Sequence, residues 1–116
     1  MGLFKKKKNL EYGYQQGKGK KVPRFTSFDN MVYIIVRDAS DDQTMEICDM
    51  ILSGKPVLAN FSKISPSNAN EMLAFISGVI YATDGHIEKL ESKSFLFARK
   101  EEYEDGSLYQ YIEDSK

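Results

Sequence analysis

The chain is 116 residues long, 41% hydrophobic and 28% charged, which suits one folded domain with a tail. Its formal charge of −1 hides a division: residues 1–24 carry eight basic side chains and one acid, Glu11, for +7, and the remaining 8 basic and 16 acidic residues come to −8. The arm suits a polyanion and the body does not, while one cysteine, Cys48, and one histidine, His86, exclude an intrachain disulfide and fall short of a zinc set.

Residues 1–8 read Met1-Gly2-Leu3-Phe4-Lys5-Lys6-Lys7-Lys8. Leu3 and Phe4 can insert between lipid headgroups while the four lysines meet anionic lipid, each adding about 1 kcal/mol. One copy is a weak anchor, and an oligomer multiplies it. The alternatives are a solubilising tail or a nucleic-acid-binding arm. The lysines lead into Asn9, Glu11 and Tyr12 and not into an apolar stretch, so a secretory signal is not expected. Lys6 stands where a myristoylation signal wants Ser or Thr. No run reaches the roughly 20 apolar residues of a bilayer span. Residues 9–28, with Gly13, Gly17, Gly19 and Pro23, read as a flexible linker. Gly17-Lys18-Gly19-Lys20-Lys21 resembles a phosphate-binding loop in composition only.

Residues 29–116 make up the predicted domain. Met31 to Val36 is a nearly continuous apolar, β-branched run, as in a strand covered on both faces. Ser40 with Gln43 predicts a capping box, and Ile47, Cys48, Ile51 and Leu52 recur at helical spacing before Gly54. Pro56 to Phe61 predicts a second strand. Ser65-Pro66 predicts a helix start, followed by Ala69, Met72, Leu73, Ile76 and Ile80 on one face and a stop at Asp84-Gly85. His86 to Glu91 and Lys93 to Arg99 read as strands turning near Ser92. Phe95 and Phe97 alternate there with Leu96 and Ala98, which suits cover on both faces. Glu101 to Gly106 reads as a charged loop, and Leu108, Tyr109, Tyr111 and Ile112 as a last, edge strand. The expected fold is an α+β sandwich of order βαβαβββ, with two helices packed on one face of a mixed five-stranded sheet.

No catalytic constellation stands out. Asp38, Asp41, Asp42, Glu88 and Glu91 are explained by helix caps and strand edges. Cys48 lies in an apolar helical pattern, and His86 reads as a solvated loop residue. No enzyme activity, cofactor or metal is expected. A stronger signal lies on the second helix. Opposite its core face, Ala74, Gly78 and Ala82 form a column at i, i+4 and i+8, flanked by Glu71 and Phe75. Glycine inside a helix costs about 1 kcal/mol relative to alanine, and a small-residue column lets another backbone approach closely. The second chain would be either a neighbouring molecule or the first helix of the same one.

At Lys55-Pro56-Val57-Leu58-Ala59-Asn60, Phe75-Ile76-Ser77-Gly78-Val79-Ile80-Tyr81, Gly85-His86-Ile87-Glu88-Lys89-Leu90 and Ser92-Lys93-Ser94-Phe95-Leu96 the chain resembles the SepF family of cell-division proteins, over about residues 31–99. The resemblance implies a non-enzymatic adaptor that forms homodimers and higher polymers. It implies binding of the C-terminal tail of FtsZ and attachment to the anionic inner face of the cytoplasmic membrane at the division site. It places the family's self-association glycine on Gly78 and its helix-two aromatic on Phe75, so Glu71, Ala74, Phe75, Gly78 and Ala82 are the expected self-association and partner-binding residues. Met1, Leu3, Phe4 and Lys5 to Lys8 are the expected membrane contacts. The chain departs from the family at Asn70 and Glu71, where basic residues are usual, and at Ala74, where Asp is usual. The competing expectation is a small nucleic-acid-binding module with a basic arm; the acidic body and the lack of an ordered stacking platform count against it, and nucleic acid is not an expected partner.

Overall fold

The computed structural model describes residues 25–91 and 93–116. The expected membrane contacts, Met1 to Lys8, and most of the expected linker lie outside the described residues. Eight elements follow in order: β1 (Val32–Ile35), α1 (Asp41–Leu52), β2 (Val57–Asn60), α2 (Pro66–Ala82), β3 (His86–Glu91), β4 (Ser94–Ala98), α3 (Lys100–Tyr103) and α4 (Ser107–Asp114).

The helix ends are set by local chemistry. The Ser40 hydroxyl accepts the Gln43 amide at 3.2 Å. The Gln43 carboxamide oxygen reaches back past the cap to the amides of Arg37 (2.9 Å) and Asp38 (3.3 Å), tying the end of β1 to the start of α1. α1 ends in a Schellman motif: the Gly54 and Lys55 amides donate to the carbonyls of Ile51 and Met50, with Gly54 at φ 95°. The Ser65 hydroxyl caps α2 by accepting the Asn68 amide, with Pro66 in the first turn. At the far end Asp84, not Gly85, takes the positive φ of 52°. Gly85 serves another purpose, because a Cβ there would collide with the Ala98 carbonyl oxygen of β4.

The sheet has four strands in the order β1-β2-β4-β3. β1 and β2 are parallel, with Val32 opposite Val57; β4 runs antiparallel to both β2 and β3. The β3–β4 register shifts between Lys89 and Glu91. On one face Val57, Ala59 and Phe97 pack with Ile47, Cys48 and Ile51 of α1 and Ala69, Met72, Ile76 and Ile80 of α2. On the other, Leu58, Leu96 and Ala98 pack with Tyr103, Leu108 and Ile112.

Two expectations are corrected. There is no fifth strand among the described residues: Leu108 to Ile112 belongs to α4, and the loop expected from Glu101 to Gly106 opens with the short helix α3. Leu108 and Ile112 lie one helical turn apart and are both buried, while Tyr109 and Gln110 between them are exposed, a period of four and not of two. The helices also occupy both faces. The central strands β2 and β4 are apolar on either side, so a second layer is needed to remove Leu58, Leu96 and Ala98 from water. The expectation that both faces of β4 are covered holds.

Candidate functional site

α2 supplies the first candidate surface. Its core face buries Ala69, Met72, Ile76 and Ile80. Glu71, Ala74, Phe75, Gly78 and Ala82 are all exposed. The α carbon of Gly78 faces open space among the described residues: a Cβ there would meet none of their atoms within 4 Å. α1 of the same chain therefore does not fill the column, and the roughly 1 kcal/mol cost of a helical glycine has no intrachain compensation. Phe75 is 53% exposed and Tyr81, which sequence reasoning left out of the site, is 86% exposed. Glu71 is the single charged side chain between Pro66 and Ala82. The signal for Tyr81 was present, since it lies three residues past Gly78 on the same helical face.

The second candidate was not anticipated. Where α2 meets the β3–β4 turn, an open groove of about 240 Å³ is lined by Phe61, Ile64, Leu73 and Phe95, together with Asn70, Lys89 and Lys93. Phe61 and Phe95 meet edge to face at 5.8 Å, and Phe95 stacks on the buried Phe97 at 6.4 Å, so the groove's two rings continue an aromatic row into the core. The Lys89 ammonium sits 5.9 Å from the centre of the Phe95 ring. Neither lysine has a carboxylate within 4.0 Å among the described residues. An apolar trough rimmed by two lysines that have no carboxylate partner among the described residues suits an extended peptide with apolar and acidic side chains.

The remaining candidates are structural. Cys48 is buried in the α1 core and burial pushes its thiol pKa up; His86 opens β3 rather than a loop, is exposed, and bonds Glu88 at 2.8 Å. Asp38 and Asp41 belong to the α1 start, where the Ser40 hydroxyl and amide hold the Asp38 carboxyl below its usual range. No group of three or more potential metal ligands occurs among the described residues. No described helix is long and apolar enough to cross a membrane.

The class so defined is a small α/β sandwich that presents a nearly uncharged helix face and an apolar groove at its surface. A family model described as cell division protein SepF matches residues 31–101, and the chain belongs to the SepF family. It is 31% identical over 78 residues to the cell division protein SepF of Acetivibrio thermocellus, across 67% of this chain and 50% of that protein. It is 32% identical over 81 residues to that of Alkaliphilus metalliredigens, across 70% and 55%. The chain thus spans about half the length of the curated relatives it matches. A SepF-like protein from Archaeoglobus fulgidus shares the fold, with a TM-score of 0.50 at 20% identity over 59% of this chain and 86% of that one. The resemblance read from the sequence is therefore correct.

Proposed function

We propose that the chain is a non-enzymatic adaptor of cell division. It associates with copies of itself through the outward face of α2, docks the C-terminal tail of FtsZ, and holds it at the inner face of the cytoplasmic membrane through residues 1–8. The observation that carries this reading is the uncovered column of Ala74, Gly78 and Ala82 between Phe75 and Tyr81. Membership of a cell-division family supports it. A second copy laid against that column would bury the two aromatics and bring helix backbones close enough for dense packing. For the FtsZ tail we favour the groove over the α2 face: Phe95, Leu73 and Phe61 can take apolar side chains, and Lys89 and Lys93 can take acidic ones. Glu71 follows Asn70 of the groove and precedes Ala74 of the column by three residues.

The test is a pull-down of the full chain with a peptide of the FtsZ C-terminal tail from the same organism. Retention that is lost in Phe95→Ala but kept in Gly78→Lys supports two separate surfaces. Absence of retention by the parent chain overturns the FtsZ assignment. Flotation with anionic liposomes, comparing the full chain with one starting at Pro23, tests the membrane role; equal flotation overturns it.

A further inference from the structure

The segment before β1 and the C-terminal helices are held together by contacts spanning 78 and 79 residues of sequence. The Ser27 amide donates to Asp105 Oδ2 at 2.8 Å and the Phe28 amide to the Ser107 hydroxyl at 3.0 Å. The other oxygen of Asp105 accepts the Ser107 amide (2.9 Å) and hydroxyl (2.8 Å), so one carboxylate both starts α4 and holds the turn that leads into β1. A turn closed by Thr26 and Asp29, each bonding the other's amide, keeps the segment compact. The Phe28 ring lies 5.3 Å from that of Tyr111, and Met31 packs on the second core. These residues lie at or beyond the ends of the family match at residues 31–101.

We propose that residues 26–31 and the α3–α4 connection form a clamp that fixes the root of the basic N-terminal segment on the sheet face opposite α1 and α2.

Hydrogen exchange on the full chain tests the clamp. The Ser27 and Phe28 amides are expected to be protected in the parent. In Asp105→Ala the Ser27 amide should exchange at least about tenfold faster, as expected on losing a hydrogen bond to a charged acceptor, with β2 and β4 amides unchanged. Ser107→Ala should release Phe28 in the same way and serves if Asp105→Ala fails to fold. Exchange at Ser27 and Phe28 that is unprotected in the parent, or unmoved in both variants, overturns the clamp.

Discussion

Replacing Gly78 separates the energetics of one molecule from those of its assembly. Gly78→Ala adds a methyl group where nothing among the described residues lies within 4 Å, and it removes the roughly 1 kcal/mol penalty of glycine inside a helix. A gain of about 1 kcal/mol raises the thermal midpoint of a domain this small by roughly 4–8 °C. Gly78→Lys should also stabilise the isolated chain, by about 0.7 kcal/mol, because lysine is a good helix former and its side chain can extend into solvent. In an assembled pair the same lysine would enter the close approach between helices, adding bulk and an unpaired charge. The expected result is an unusual pairing: a chain that has lost assembly and melts higher as a monomer. Self-association raises apparent stability with concentration. The melts must therefore be recorded at dilutions where sedimentation velocity shows only monomer. A lower monomer midpoint for Gly78→Ala would mean that the face is packed within the chain. Unchanged sedimentation of Gly78→Lys would refute the role of this face in assembly.

Leu108→Ala empties a fully buried position in the second core and should cost about 2–5 kcal/mol in a denaturant titration; a loss below about 1 kcal/mol would show that α4 does not seal the sheet. Hydrogen bonding, chiefly from the Ser27 amide and also from Ser107, holds the Asp105 carboxyl below its usual range. A depressed folded pKa contributes stability that is present above the unfolded value, about 4, and lost as pH falls through the folded one. Asp105→Asn should therefore flatten the loss of stability on acidification below about pH 4, and an identical acid limb in the variant would count against the contact. Lys89→Glu with Lys93→Glu should weaken binding of an acidic FtsZ-tail peptide at least about tenfold and reverse its salt dependence; calorimetry at two ionic strengths checks this, and undiminished affinity would remove the groove from the docking site.

Most of the fold was legible because its signals are local. Ser40 and Ser65 announce α1 and α2 by caps that need only the next three residues, and the structure places both hydroxyls on the expected amides. The alternation of Phe95, Leu96, Phe97 and Ala98 foretold two covered faces, which the two separate cores bear out. That same observation contained the correction. A strand buried on both sides implies a second layer, and the apolar residues after Arg99 could supply it. Reading Leu108 and Ile112 as a strand left the second face bare. Reading them at a spacing of four closes it. Asp105 two residues before Ser107, with Gly106 at φ 82° between them, was the missed start signal. Arg99, bonded to Glu102 by two nitrogens at 2.8 and 3.0 Å, brings α3 against the Gly54 turn.

The two candidate surfaces differ in legibility for a physical reason. The α2 column is a property of one helix, so a period of 3.6 residues suffices to find it, and the structure adds only that its residues are exposed and that nothing among the described residues crowds Gly78. The groove belongs to no single element. Leu73 comes from α2, Phe61 from the end of β2, Lys89 from β3, and Phe95 from β4. They meet because Phe61 donates its amide to the Lys93 carbonyl, which folds the β3–β4 turn against the exit of β2, and because the register shift after Lys89 leaves that residue opposite Phe95. Neither pairing has a local sequence signature. Inserting or deleting one residue between Lys89 and Ser94 would leave every helix intact, yet it would move Lys89 away from Phe95. The groove is therefore sensitive to the length of a turn in a way that the α2 face is not, and that asymmetry separates the two surfaces by experiment.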